Sequence, residues 1–143
     1  MIFSYAPETV SQFDTKEGNM TNEHQQNDNK RWPKSIDEAV QMLLARLSEE
    51  DKETIKNTHP YDLAKYHHGL GTCIRNEFGL WKDSPLVPKN PYTGQRVLHP
   101  DDVSGIILRA LHKALNPGKE PSDFGKSSFE RMIEEIKNDK TSQ

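Results

Sequence analysis

The stretch HPDDVSGIILRALHKAL, residues 99–115, decides the fold. Proline suits the first position of a helix, and the two aspartates after it suit the positive end of the helix dipole. The apolar residues that follow recur at steps of three and four, as they do on one buried face of a helix. They are Val103, Ile106, Ile107, Ala110, Leu111, Ala114 and Leu115. The spacing predicts an amphipathic helix over residues 100–115.

Two shorter helices are predicted near the start of the patterned region. Ser35 and Glu38 form a capping box, in which Ser35 accepts from the amide of Glu38 and the Glu38 carboxylate returns to the amide of Ser35. The apolar stripe that follows extends to Leu47. Ser48 and three acidic residues then begin a second helix, which ends before Thr58.

A third core helix is predicted over residues 60–78. Gly69 and Gly71 lie inside it, and each costs about 1 kcal/mol relative to alanine. Either another helix packs closely at these glycines, or a ligand or partner backbone approaches there. Beyond this helix, residues 86–87 and 96–98 flank an Asn-Pro-Tyr-Thr-Gly turn and are predicted to pair as a short β-hairpin.

These elements divide the chain into three parts. Residues 1–32 are polar and aperiodic, which predicts a disordered leader, and Met20 inside it is an alternative initiator to Met1. Residues 33–116 are predicted to form the helical core domain. Residues 117–143 are predicted to be a polar linker and an amphipathic helix. The apolar face of that helix carries Phe129, Met132, Ile133 and Ile136. We predict a mainly α protein: a small bundle of four core helices, a short hairpin before the fourth and an extra C-terminal helix.

The composition argues against several classes of protein. The 143 residues are 32% hydrophobic and carry a net charge of −3, whereas a nucleic-acid binder normally has a basic excess. Cys73 is the one cysteine, which excludes an internal disulfide and a multi-cysteine zinc site. The sequence has no apolar run of about 18 residues for a membrane span, and we expect no secretory signal. A cytoplasmic protein is the expectation.

Polar side chains concentrate on one face of the third helix and at the entry to the fourth. The candidate binding residues are His68, Arg75, Asn76, Trp81, His99, Asp101, Asp102 and Ser104. The Arg75 guanidinium offers a planar fork to a carboxylate or phosphate. Arg75 either binds a ligand or pairs with Asp101 or Asp102 and locks two helices together. Trp81 is predicted to anchor the core, with a stacking platform for a ring or base as the alternative.

The sequence contains no recognisable catalytic set. A metal site drawn from His67, His68, His99 and Asp101 would suit zinc or iron. Adjacent histidines on a helix diverge by about 100°, so no metal or other cofactor is predicted. Acid–base catalysis by His68 or His99 with a nearby aspartate would require these groups to converge. Cys73 lies on the apolar stripe, which is typical of a small buried hydrophobe rather than a nucleophile.

Two motifs carry a family resemblance. G-x-x-I-R-N-x-x-x-L-W occupies residues 71–81, and H-P-D-D-x-S occupies residues 99–104. In combination they resemble a family of small bacterial and phage proteins catalogued as a domain of unknown function, from Pro33 to Leu115. The resemblance implies that the motif residues act together, structurally or functionally, and it implies no particular activity.

These observations favour a non-enzymatic module that binds another protein. A phage or mobile-element setting, as the resemblance implies, would suit an accessory or host-modulating role. The alternative is a small-ligand or nucleotide-binding domain with hydrolytic activity centred on Arg75, His99 and Asp102. Direct binding to nucleic acid or to a membrane is not expected.

Overall fold

A computed structural model of the chain describes residues 32–141, and the protein is mainly helical, as predicted. The α-helices are α1 (Ile36–Arg46), α2 (Glu49–Lys56), α3 (Leu70–Glu77), α4 (Pro100–Leu115) and α5 (Ser128–Thr141). A first 3-10 helix, Pro60–Tyr66, precedes α3, and a second, Pro121–Phe124, precedes α5.

The core forms around α4. This helix packs against α1, α2, α3 and the first 3-10 helix. The largest fully buried side chains include Leu43, Ile55, Leu70, Ile74, Phe78, Leu80, Ile107 and Leu111. Each such side chain contributes about 1.5–3 kcal/mol when it leaves water. Because α2 and α3 have only eight residues each, the core is an assembly of short helices around α4 rather than the predicted four-helix bundle.

Side-chain caps begin α1 and α2. Ser35 accepts from the amide of Glu38 at 3.1 Å, as predicted. The Glu38 carboxylate turns instead to the amide of Lys34, at 2.7 Å, so only half of the capping box forms. Ser48 caps α2 through the amide of Asp51 at 3.0 Å.

The predicted helix over residues 60–78 is broken at residues 67–69. The carbonyl of His67 accepts from the Arg75 side chain at 3.0 Å, and the carbonyl of His68 accepts from the Thr72 hydroxyl at 3.0 Å. Side chains therefore replace part of the backbone pairing, and α3 starts anew after Gly69. The close approach at Gly71 comes from the chain itself, since a Cβ there would lie 3.2 Å from the Tyr66 carbonyl oxygen.

The predicted hairpin is wrong. Among residues 32–141 no β-strand forms, and the connection holds one isolated antiparallel bridge between Lys89 and Arg96. The predicted turn does form, because the Asn90 side chain accepts from the amides of Tyr92 and Thr93. Residues 96–97 pair with residues 88–90 instead of 86–87, since the Val97 amide donates to the Pro88 carbonyl and the Asn90 amide donates to the Gln95 carbonyl, both at 2.8 Å.

The predicted polar linker carries structure of its own. Phe124, in the second 3-10 helix, packs its ring 5.0 Å from the His112 ring of α4 and 6.2 Å from the ring of His59. Helix α5 follows it and has no buried residue. The C-terminal region therefore docks on the body through Phe124 and leaves most of α5 outside the core.

Residues 1–31 lie outside the described residues. The predicted leader, apart from Trp32, therefore falls outside them, and so does the choice between Met1 and Met20 as initiator. Within residues 32–141, the helices lack the combination of length and apolar composition that crossing a bilayer requires.

Candidate functional site

The two motifs meet where α3 packs on α4. Arg75 lies in the last turn of α3, and a Schellman motif ends this helix. The amide of Leu80 donates to the Arg75 carbonyl at 3.0 Å, and the amide of Gly79 donates to the Asn76 carbonyl at 3.4 Å. Gly79 has a φ of +64°, and the Trp32 ring lies 2.2 Å from where a Cβ would be, so no other residue fits there unchanged.

The Arg75 guanidinium is saturated by its own chain. Nη1 donates to the Ser104 hydroxyl at 2.9 Å and to His67 Nδ1 at 3.4 Å. Nη2 donates to the His67 carbonyl and to the Thr72 hydroxyl, both at 3.0 Å. Nε lies 3.3 Å from Asp101 Oδ1, and the Arg75 side chain is only 6% exposed. Arg75 therefore takes the locking role that the sequence left open, with Asp101 as the partner.

Two histidines, His67 and His99, lie beside the Asp101 carboxylate at the outer edge of the Arg75–Asp101 pair. Asp101 is 42% exposed, and its Oδ2 lies 3.5 Å from His99 Nδ1 and 3.9 Å from His67 Nε2. His99 caps α4, because its Nδ1 accepts from the amide of Asp101 at 3.1 Å. His67 Nδ1 faces Arg75, which can only donate, so the neutral His67 ring carries its proton on Nε2.

Trp81 is not a core anchor, contrary to the prediction. Its side chain is 47% exposed, and its ring stands edge-on to the His99 ring with centroids 5.4 Å apart. The Trp81 carbonyl and the Lys82 carbonyl both accept from Arg96 Nη2. Leu80 takes the buried position that the sequence assigned to its neighbour.

The structure joins five of the eight candidate residues and leaves three outside. Arg75, Ser104 and Asp101 contact one another where α3 packs on α4, and His99 and Trp81 lie at the edge of this network. Asn76 and Asp102 are exposed and stand apart from this network. His68 is also exposed, and its ring packs edge-on against the His67 ring with centroids 4.9 Å apart.

His68 lines a different feature, a surface groove of about 580 Å³. The groove runs between the first 3-10 helix and α4. Its lining residues are Pro60, Tyr61, Leu63, Ala64, His67, His68, Gly105, Leu108 and Arg109. His67 belongs both to the groove and to the Arg75 network, whereas Arg75 itself does not reach the groove. The sequence interpretation missed this feature, although a glycine inside the best amphipathic helix was a visible signal for it.

The surroundings of Cys73 and of the candidate metal ligands bear on the chemistry considered for them from the sequence. Burial, followed by the nearby Glu77 carboxylate, raises the pKa of the Cys73 thiol, which favours the unreactive protonated form. Within residues 32–141, no three side chains of histidine, cysteine, aspartate or glutamate gather in a way that could hold a metal ion.

A family model for a domain of unknown function, DUF6794, matches residues 32–115. The chain belongs to this family. Searches of curated proteins and of solved structures return no significant match. The DUF6794 region contains the Arg75 network and the groove, whereas the second 3-10 helix and α5 lie beyond its end.

Proposed function

We propose that the protein is a non-enzymatic binding module that presents α5 to an apolar groove on another protein. In this proposal a phage or mobile element encodes the protein, and its accessory role is to modulate the host. The observation that carries this proposal is the exposure of large apolar side chains on α5. Phe129 is 65% exposed, Met132 46% and Ile136 47%. Exposed apolar groups arranged on one side of an element are typical of a docking surface.

The spacing of these side chains supports a helical docking mode. Phe129, Met132, Ile133 and Ile136 occupy positions i, i+3, i+4 and i+7, and we call them the α5 stripe. This is the pattern by which an amphipathic helix fills a groove on a partner. The helix is otherwise rich in charge, so a partner would gain most of its binding energy from the stripe.

The attachment of α5 supports the same view, because the hydrogen bonds between α5 and the body that the structure describes within residues 32–141 lie at the first residue of the helix, Ser128. The Asp62 carboxylate accepts from the amide of Ser128 at 3.0 Å and from its hydroxyl at 3.1 Å. Glu130 accepts from the amide of Ser127 at 2.8 Å and from the Ser127 hydroxyl at 3.0 Å. These contacts fix the start of the helix on the body and leave the α5 stripe accessible.

The connection over residues 82–98 is a second candidate surface for the same partner. Tyr92 is 95% exposed and Val97 is 63% exposed at this loop. The face around Arg75 has less to offer, since Arg75 is buried and fully engaged. For the same reason, hydrolytic or nucleotide-binding activity centred on Arg75, His99 and Asp102 has less support.

The test is capture of partners by the tagged intact chain from its native lysate, read by mass spectrometry. The deciding variant is Ile136→Lys, which places a charge in the α5 stripe. The matched control is Glu135→Lys, which introduces the same side chain one position away and outside the stripe. We expect one protein to be enriched by the unmodified chain and by Glu135→Lys, and to be lost with Ile136→Lys.

Light scattering on the purified chain separates this proposal from self-association. We expect a monomer for all three proteins. A dimer that dissociates only in Ile136→Lys would show that a second copy covers the stripe, which would contradict the proposal. Capture that is equal in both variants would contradict it as well.

A further inference from the structure

We propose that the groove between the first 3-10 helix and α4 binds a small organic carboxylate, an apolar ring or chain with a single negative charge. This site is separate from the α5 stripe, and its test is independent of the proposed protein partner.

The size and lining of the groove fit such a ligand. Its volume is about 580 Å³, within the roughly 300–1,000 Å³ range of small-molecule sites. Pro60, Leu63, Ala64 and Leu108 supply apolar surface, and Tyr61 supplies an aromatic wall that is 73% exposed to water. An apolar ring seated here would cover surface that the body leaves open.

Arg109 supplies the charge. Among residues 32–141 its guanidinium has no hydrogen-bond or ion-pair partner, in contrast to Arg75. Its Nη1 lies only 3.6 Å from where a Cβ on Gly105 would be, so the guanidinium reaches over that glycine at the groove. An unpaired guanidinium beside apolar surface is suited to a planar carboxylate, which can accept two hydrogen bonds from it.

The glycine at position 105 also supports a ligand site in the groove. A glycine inside a helix costs about 0.5–1 kcal/mol relative to alanine. At Gly71 a Cβ would approach the Tyr66 carbonyl to 3.2 Å, and at Gly79 it would collide with Trp32, so packing explains both. A Cβ on Gly105 would have the flexible Arg109 side chain as its nearest contact, and no atom of the first 3-10 helix lies within 4 Å of that Cβ position. Packing against the rest of the body therefore does not require glycine at position 105, and a larger side chain there would occupy space in the groove.

The charge count favours one negative charge on the ligand. Arg109 is the one permanent cation among the lining residues, so a carboxylate is balanced, whereas a phosphate dianion is not. His68 faces the same groove, and in the described part of the chain its ring nitrogens make no hydrogen bond. It is available as an additional donor to the carboxylate or to a polar group on the ligand.

The test titrates the full chain with 2-naphthylacetate and with 2-naphthylacetamide, its neutral counterpart, and follows backbone amide signals by NMR. We expect the carboxylate to shift the signals of Leu63, His68, Gly105 and Leu108 saturably. We expect the amide to bind about tenfold more weakly or worse, because it lacks the charge-assisted contact to Arg109.

Three variants locate the site. Arg109→Gln should remove the preference for the carboxylate, whereas Arg131→Gln, which changes an exposed arginine on α5, should preserve it. Gly105→Leu should fill the groove and abolish binding of both probes, with its fold checked by the signals of α1 and α2. No saturable shift at the groove would overturn the proposal, and so would equal binding of acid and amide or an equal loss in Arg131→Gln.

Discussion

Arg75 and Arg109 lie on adjacent packed helices, α3 and α4, and their surroundings are opposite. Arg75 is 6% exposed and contacts Asp101, Ser104, Thr72 and His67. Arg109 is exposed, borders a groove and has no polar partner within residues 32–141. The arginine inside the more conspicuous motif is thus the one whose binding capacity is already used by the fold.

This contrast shows that a polar motif can join two helices instead of binding a ligand. A guanidinium has five donors in one plane, and burying it requires a partner for each of them. The residues around Arg75 meet that requirement, so the motif describes how α3 is joined to α4. Groups without a polar partner indicate binding better, and within residues 32–141 those that line the groove include Arg109 and His68.

The largest expected effect comes from removing Arg75. Arg75→Ala leaves the Ser104 hydroxyl and the His67 carbonyl without their donor and Asp101 without its counter-charge. Breaking a fully buried pair costs about 3–5 kcal/mol, and since Asp101 is 42% exposed we expect about 2–3 kcal/mol here. Thermal unfolding of the intact chain should show a Tm lower by roughly 10 °C or more.

Arg109→Ala is the matched control for this comparison. Because Arg109 has no polar partner in the described residues, we expect its free energy of unfolding to stay within about 0.5 kcal/mol of the unmodified chain. Equal losses in the two variants would remove the distinction between the two arginines.

Gly79 and Gly105 differ in the same way as the two arginines, and the expected changes in the free energy of unfolding are smaller. Gly79→Ala forces a positive φ on a residue with a side chain and displaces Trp32, so we expect a loss of about 1–2 kcal/mol or more. Gly105→Ala meets only the Arg109 side chain and should gain about 0.5–1 kcal/mol. Urea unfolding of both variants measures whether the free energy of unfolding falls in Gly79→Ala and rises in Gly105→Ala. A destabilised Gly105→Ala would mean that packing requires this glycine, and the argument for an open groove floor would fail.

Local patterns predicted much of the fold. Capping residues and apolar spacing located α1, α2 and α4 within a residue or two, because these signals act between residues close in sequence. The break before α3 was not predictable in this way. At this break Arg75 reaches back to the His67 carbonyl, and the same guanidinium contacts Ser104 and Asp101 of α4, which are distant in sequence.

The candidate site was predictable only in part, for a similar reason. The two motifs indicated that Arg75 and Asp101 belong together, but local patterns could not say whether Leu80 or Trp81 is buried or where an open surface lies. Trp81 is half-exposed because the Schellman turn at Gly79 directs Leu80 into the core instead. The groove involves residues 60–68 and 105–109, which become neighbours only when the first 3-10 helix packs on α4.

A third contrast concerns two carboxylates, and it predicts the smallest effect. Asp101 contacts Arg75 of the body, whereas Glu130 accepts its hydrogen bonds from Ser127 at the start of α5. Hydrogen bonds from the Ser127 amide and hydroxyl keep the pKa of Glu130 below its ordinary value of 4.5. A lowered pKa means that this carboxylate stabilises the folded form fully above pH 4.5 and ceases to do so as the pH falls through its folded value.

We therefore expect the first turn of α5 to loosen on acidification while the body keeps its structure. Amide hydrogen exchange at residues 127–131, followed from pH 6 to pH 3 and corrected for the intrinsic rate, should show protection lost below about pH 4.5. In Glu130→Gln the same amides should be less protected throughout and should lack this step, because the amide side chain does not ionise. A step that persists in Glu130→Gln would show that a different group controls the protection of these amides, and it would contradict this prediction.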